Sequence, residues 1–150
     1  MLLRNMRLVI DSLTPNERDL LPVLGNFRFR MESRFSSLKL GFEWHNHDMP
    51  ESLEVEPDVG LNALRILQEA LANILKYAQA RQVIVEISYM LQTLKIRAAD
   101  DGCGFVESAG IKGRGISNMR TRAKKIGAGF NVRSLTPGTE VNLEILLDVI

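Results

Sequence analysis

Two side chains of a long predicted helix could take part in proton transfer and metal binding. Glu69 and Asn73 are four residues apart, so they stand on one face of a helix, one turn from each other. A carboxylate at this place could orient an attacking group or accept a proton from it, and an amide oxygen is a ligand that suits Mg²⁺. An isolated Glu-x-x-x-Asn is also typical of an ordinary solvated helix edge, so the pair alone establishes no site.

A glycine-rich segment follows further along the chain. Of the eleven glycines, five lie at positions 102, 104, 110, 113 and 115. Just before them, Asp100 could accept a hydrogen bond from an amino-bearing ring such as adenine, while Gly102 and Gly104 would let the backbone approach a planar ligand. Asp-x-Gly-x-Gly is equally typical of an ordinary turn, and that alternative stays open.

The second half of this segment, Gly113-x-Gly115, directly precedes a predicted helix over residues 116 to 126. Free N–H groups at a helix start favour phosphate, and Lys112 and Arg114 add positive charge nearby. The pattern is neither a P-loop nor a dinucleotide fingerprint. The basic run after it, residues 120 to 125, is more typical of a solvated helix face than of a binding patch.

The elements that position these residues follow from the apolar pattern. Helical spacing predicts helices over residues 1 to 13, in the segment before Gly41, over residues 58 to 80 with Asp58 as the N-cap, and over residues 116 to 126. Strands are predicted over residues 41 to 48, 82 to 90, 93 to 100, 130 to 135 and 139 to 147. Hairpins interrupted by helices predict an α/β fold: a two-layer sandwich with a mixed, largely antiparallel sheet and helices packed on one face.

Composition excludes several classes of protein. The 19 basic and 18 acidic residues give a net charge of +1, which argues against a nucleic-acid partner. The single cysteine, Cys103, excludes an internal disulfide framework, and no His/Cys cluster has zinc-ligand spacing, so we expect a cytoplasmic domain. No apolar run approaches the roughly 20 residues of a spanning helix, so any membrane anchor would belong to a longer parent protein.

Four short motifs occur in a characteristic order: QEALANILKYA, DDGCGF, GRGISNMRTRA and GTEV. This order resembles the four nucleotide-binding boxes of the GHKL (Bergerat-fold) ATPases. The likeness is greatest to the ATP-binding catalytic domain of bacterial two-component sensor histidine kinases of the NarX/DesK-like type, and it runs over residues 41 to 147. It implies that residues 1 to 15 are the end of a dimerisation-domain helix, 16 to 40 a connecting helix and 41 to 150 the catalytic domain.

The resemblance also implies a role for each matching residue. Asn73 would bind Mg²⁺, Glu69 would orient or deprotonate the attacking group, and Lys76 would lie near the phosphates of ATP. Asp100 would recognise adenine. The other residues of the implied site are Gly102, Gly104 and Thr139 around the adenine, and Gly113, Gly115 and Ile116 at the phosphates, beside a short lid over residues 107 to 112.

Two departures from the family pattern limit what the resemblance implies. Tyr77 stands where the family commonly has a histidine. The phosphoacceptor histidine and its motif are missing, because His45 and His47 lie in the predicted first strand. The resemblance therefore implies a module that donates the γ-phosphate of Mg-ATP to a histidine on a separate dimerisation domain, and through it to a response regulator. The parent would be a homodimer, and a place for it in the inner membrane is left open.

Two alternatives remain at this point. One is a stand-alone GHKL ATPase or an anti-sigma-type serine kinase, in which water or a protein serine takes the phosphate. The other is a non-catalytic nucleotide-binding module. A histidine-bearing helix encoded upstream would favour the sensor histidine kinase over both alternatives.

Overall fold

The computed structural model describes residues 18–102, 110–135 and 137–147, with the backbone alone for Tyr77, Ala78 and residues 110–114. The predicted helix over residues 1 to 13, Cys103, Gly104 and residues 107 to 109 of the predicted lid lie outside this part. The elements are α1 (Leu20–Ser37), β1 (Gly41–His47), α2 (Pro57–Asn73), a π-helical turn (Ile74–Ala78), β2 (Gln82–Met90), β3 (Thr93–Asp100), α3 (Gly110–Lys125), β4 (Gly129–Ser134) and β5 (Thr139–Leu146).

The five strands form one mixed sheet in the order β1-β2-β3-β5-β4. The pair β1 and β2 is parallel, and the other three pairs are antiparallel. Helix α1 packs against β1, α2 against β3 and α3 against β4. The predicted α/β fold with a largely antiparallel sheet is therefore confirmed.

Alternation along the strands decides which sheet face is buried. Val83, Val85 and Ile87 of β2 are fully buried, and in register they face Asp100, Ala98 and Ile96 of β3. Because successive strand residues point to opposite faces, this face joins the helices in one core. Helix α1 contributes Phe27, Met31 and Phe35 to that core, while the division of the chain at residue 40 stays a prediction.

Two of the three helices begin at an identifiable cap. The carboxylate of Asp19 caps α1 by accepting from the N–H of Leu21 at 3.1 Å, and it also accepts from the N–H of Leu53 at 3.0 Å. For α2 the predicted N-cap Asp58 was wrong. The N-cap is Glu56, and Pro57 occupies the first turn, where a missing N–H costs no hydrogen bond.

The outer face of the sheet carries a row of polar contacts that crosses all five strands. His47 Nε2 lies 3.1 Å from Glu86, Arg97 pairs with both Glu86 and Glu140, and the Nε of Arg133 lies 2.8 Å from Glu140. The hydrogen bond from Arg97 holds the pKa of Glu140 below its ordinary value and raises that of Arg97 itself. His47 is the last residue of β1, so its predicted place in the first strand is confirmed.

Candidate functional site

The ends of two central strands bring Asp100 and Thr139 together. Asp100 is the last residue of β3 and Thr139 the first of β5, and the two are partners in register. Both side chains are buried, with Asp100 only 6% exposed. Gly138 precedes Thr139 with φ +108°, and a Cβ there would overlap the carbonyl group of Asp100. The glycine of GTEV is therefore required by its backbone conformation and by this close approach.

A tight turn holds the Asp100 carboxylate in place. The N–H of Gly102 donates to Asp100 Oδ1 at 2.7 Å. Such a bond is typical of an Asx-turn, so the ordinary turn expected for Asp-x-Gly is present. The carboxylate that the turn orients is nevertheless buried at the end of the central strand β3, and a buried polar group needs hydrogen-bonding partners.

The next carboxylate, Asp101, joins the end of β3 to the beginning of β2. Its Oδ1 accepts from the N–H groups of Arg81 and Gln82, each at 2.9 Å. These two bonds, that of Gln82 first, lower the pKa of Asp101. Residues 79 to 81 link the π-helical turn to β2. The two hydrogen bonds of Asp101, which we call the Asp101 clamp, therefore hold the end of α2 near the end of β3, where Asp100 lies.

Glu69 and Asn73 lie near the end of α2, and both are half-buried. Asn73 is the last α-helical residue; the chain continues through the π-helical turn, which contains the exposed Lys76 and ends at Gln79 with φ 52°. Single π-turns occur often at functional sites. The sequence pattern predicted an uninterrupted α-helix here, since apolar spacing does not distinguish one wide turn from regular helix.

Helix α3 begins at Gly110, six residues before the predicted start at Ile116. Gly113 and Gly115 are therefore helical residues, and only Gly113 belongs to the first four, whose N–H groups have no partner within a helix. The predicted beginning of the helix at Ile116 was therefore wrong, while phosphate binding by Gly113, Gly115 and Ile116 stays a prediction. The half-buried Ile116 packs against the core.

The structure does bring Gly115 together with the two polar residues of α2. A Cβ at position 115 would lie 2.6 Å from Asn73 Nδ2 and 3.0 Å from Glu69 Oε1. The helices α2 and α3 can approach this closely because residue 115 has no side chain. Gly115, Glu69 and Asn73, which come from two of the predicted motifs, are thus neighbours in the structure.

The donor set around Asn73 is compatible with Mg²⁺. The side-chain amide of Asn73 forms no hydrogen bond with any other described residue. Glu69 is its neighbour one turn away. No cluster of three His, Cys, Asp or Glu that could hold a metal occurs in the part of the chain that the structure describes. Mg²⁺ needs no such cluster, because it usually keeps several waters and takes one or two protein oxygens together with substrate phosphates.

Comparison with solved structures defines the fold. Over 95% of this chain and 70% of the other, the fold matches the histidine kinase domain of the Erythrobacter litoralis EL346 blue-light activated histidine kinase, with 19% identity and a TM-score of 0.71. The Acinetobacter baumannii histidine kinase AdeS matches over 98% of this chain and 76% of its own, with 14% identity and a TM-score of 0.68. The fold is that of histidine kinase catalytic domains.

Sequence comparison points to the same class. No protein-family model matches the chain. The chain is 34% identical over 104 residues to the sensor protein VraS of Staphylococcus saprophyticus, which covers 68% of this chain and 30% of VraS. The chain therefore spans less than a third of the length of such relatives. Together with the fold, this likeness identifies the chain as an ATP-binding catalytic domain of the sensor histidine kinase type, while the NarX/DesK-like subfamily stays a prediction.

No helix in the described ranges is long and apolar enough to cross a bilayer. The structure also contains a feature that the sequence pattern did not predict: the Nε of Arg65 is buried without a hydrogen-bond partner among the described residues. Arg65 precedes Glu69 by one turn of α2, and this spacing, which places it on the same helix face as Glu69, was its only signal in the sequence.

Proposed function

We propose that the chain binds Mg-ATP and donates the γ-phosphate to a histidine on a dimerisation domain, as the kinase domain of a two-component sensor. One observation carries the proposal: residues of four separate motifs meet in two contacts. Gly115 lies against Glu69 and Asn73, and Asp100 pairs in register with Thr139. The Asp101 clamp, which joins Asp101 to Arg81 and Gln82, holds the end of α2 near the end of β3, where Asp100 lies.

At the adenine end, the buried Asp100 carboxylate would accept a hydrogen bond from the exocyclic amine. Its orientation comes from the N–H of Gly102. Thr139, beside it in β5, offers a hydroxyl as a further hydrogen-bonding group. Gly104 lies outside the described residues, and its part in shaping this end of the site stays a prediction.

At the phosphate end, the Asn73 amide oxygen would hold Mg²⁺, which neutralises phosphate charge when bound. Lys76 is exposed one turn further on and would attract the phosphates. The first turn of α3, which includes Gly113, presents free N–H groups of the kind that bind phosphate. Positioning and charge neutralisation account for most of what a protein contributes to phosphoryl transfer.

Glu69 would orient the attacking imidazole or accept its proton. Its half-buried carboxylate lies next to Gly115, so α3 and α2 together determine where it points. The acceptor histidine would come from a dimerisation domain, with residues 1 to 15 as the end of its helix and 16 to 40 as the connection to the catalytic domain at 41 to 150. A response regulator would receive the phosphate, and the parent would be a homodimer acting at the cytoplasmic side.

Two measurements test this function. Calorimetry should show saturable, Mg²⁺-dependent binding of ATP and ADP, and Asp100→Asn should abolish most of it, because an amide can present a donor where adenine needs an acceptor. Addition of the chain and Mg-ATP to a purified histidine-bearing dimerisation domain should give acid-labile phosphate on that domain.

The same assay separates the alternatives. Phosphate released to water identifies a stand-alone ATPase, acid-stable phosphate on a protein serine identifies a serine kinase, and binding without turnover identifies a non-catalytic module. Wild-type affinity in Asp100→Asn would show that the adenine end has been assigned to the wrong residue.

A further inference from the structure

A cluster of apolar side chains lies exposed at one end of the sheet. Met90 ends β2, Leu91 lies in the turn that follows, and Leu146 ends β5; they are 61%, 88% and 68% exposed. Thr93 pairs in register with both Met90 and Leu146, so these side chains share one face of the sheet. Exposed apolar side chains that are neighbours, unlike scattered ones, mark interaction sites. We call Met90, Leu91 and Leu146 the hairpin patch.

The turn that presents this patch has a strained backbone. Leu91 has φ 52° and Gln92 has φ 64°. Two positive φ values in a two-residue hairpin turn are typical of type I′, which prefers Asn-Gly. A bulky leucine is disfavoured there, because its Cβ comes too close to a carbonyl oxygen. Turn geometry alone would favour asparagine at residue 91, so the leucine indicates that its side chain has a contact which offsets the strain.

The chain before Arg18 joins the described structure at this same end of the sheet. Helix α1 packs against β1, and the short connection over residues 38 to 40 makes the two run in opposite directions. The beginning of α1 therefore lies near His47, the last residue of β1. Because β1 and β2 are parallel and His47 pairs with Ser88, this is also the end of the sheet where Met90 lies.

The segment before Arg18 has an apolar face that needs a partner. Its apolar residues at positions 2, 3, 6, 9, 10 and 13 recur at helical spacing. A predicted helix of this length is marginal in water unless its apolar face packs against another element. The connection over residues 14 to 17 lets Leu13 lie up to about 17 Å from Arg18, which gives the segment room to pass around the end of the sheet.

We propose that the hairpin patch binds the apolar face of residues 2 to 13 of the same chain. A second copy of the chain is the weaker candidate, because a stable dimer interface takes about 20–30 residues from each partner and the patch has three. A tethered segment needs fewer contacts, since a short connection gives it an effective concentration in the mM range.

This contact goes beyond the proposed function. The whole length of β3 separates it from Asp100 at the other end of the sheet, so it takes no part in nucleotide binding. It would fix the orientation of the catalytic domain relative to residues 1 to 13, the predicted end of the dimerisation helix.

Urea unfolding of the full chain tests the contact by the sign of one change. Leu91→Asn introduces a residue that type I′ turns prefer, so on an uncovered turn it should raise the urea midpoint. We expect it to lower the midpoint by about 0.3–0.5 M, because an amide then replaces an apolar side chain that the segment covers. In a chain that also carries Ile10→Ser and Leu13→Ser, the same change should raise the midpoint, since only the relief of strain remains.

Gln92→Gly is the matched control. Residue 92 is the other position of the turn with a positive φ, and its side chain is polar. Glycine adopts this conformation without strain, so the variant should raise the midpoint equally with and without the two serine substitutions.

A photocrosslink from residue 91 gives the direct readout. Leu91→p-benzoylphenylalanine, irradiated and digested with trypsin, should join residue 91 to the peptide of residues 8 to 18 of the same chain. Crosslinks between two chains would make a second copy the occupant and overturn the proposal.

Two outcomes of the unfolding experiment would also overturn it. If Leu91→Asn raises the midpoint in both backgrounds, the patch is uncovered in solution. If it lowers the midpoint in both, something other than residues 2 to 13 covers Leu91. Neither experiment uses a nucleotide, so failure of this contact leaves the proposed kinase function intact, and failure to bind Mg-ATP leaves the contact intact.

Discussion

The backbone of Gly115 lies so close to the side chain of Asn73 that a methyl group on residue 115 would come within 2.6 Å of Asn73 Nδ2. The proposed metal ligand and the third nucleotide motif are thus in direct contact across two helices. This contact provides the first of four predictions.

Gly115→Ala should damage the site while leaving the fold intact. The added methyl group would push aside the end of the Asn73 side chain, which can move, and alanine favours helix over glycine by about 1 kcal/mol. We expect Mg-ATP affinity to fall about tenfold or more, because small displacements of a ligand are costly, with no fall in thermal midpoint. Calorimetry and thermal unfolding measure the two effects. The control is Gly25→Ala in α1, where a Cβ would meet nothing within 4 Å.

Gly138→Ala should destabilise the whole domain. Residue 138 has φ +108°, and a Cβ would overlap the Asp100 carbonyl, so β3 and β5 would have to separate there. The free energy of unfolding should fall by about 2–4 kcal/mol. Urea denaturation of Gly127→Ala provides the comparison, since φ is +65° there but nothing lies within 4 Å; this variant should lose only about 1 kcal/mol. Equal losses would mean that the contact with Asp100 contributes nothing.

Asn73→Ala should remove the metal dependence of nucleotide binding. In wild type, Mg²⁺ should strengthen ATP binding markedly, whereas in the variant the affinities with Mg²⁺ and with EDTA should become similar. Adenine recognition by Asp100 would persist, so binding in EDTA should change by less than about threefold. If the variant loses affinity equally with and without metal, Asn73 is not the metal ligand.

Glu140→Gln should weaken stability in a pH-dependent manner. The bond from Arg97 holds the pKa of Glu140 below its unfolded value, so its stabilisation is full above the unfolded pKa of about 4.3 and is lost as pH falls through the lower folded pKa. The variant should therefore lose about 1–3 kcal/mol at pH 7, and progressively less as the pH falls below the unfolded pKa. Guanidinium unfolding at several pH values checks this.

The control for that experiment is Glu144→Gln. Glu144 forms an exposed pair with Lys95 at 3.6 Å, and such pairs contribute about 0–1 kcal/mol. A loss in Glu140→Gln that did not shrink towards low pH would show that packing, and not charge, is responsible.

Much of the fold followed from periodicity. The apolar spacing of residues 58 to 80 predicted α2, and alternation predicted all five strands. These elements were predictable because the burial of one face imposes a repeat on the residues themselves. The beginning of α3 was not, because three glycines at 110, 113 and 115 disfavour helix locally, and the contact of Gly115 with Glu69 and Asn73 exists only when α2 is in place.

The candidate site, like the fold, could be predicted from the sequence only in part. The sequence by itself determined which residue types are present, their order in four motifs and the helical face shared by Glu69 and Asn73, because these depend on neighbours along the chain. Only the tertiary structure decided that Asp100 faces Thr139, that Gly115 touches Asn73 and that Arg65 has no described partner. Strand register and helix packing join residues that are far apart in sequence, and no local pattern encodes those distances.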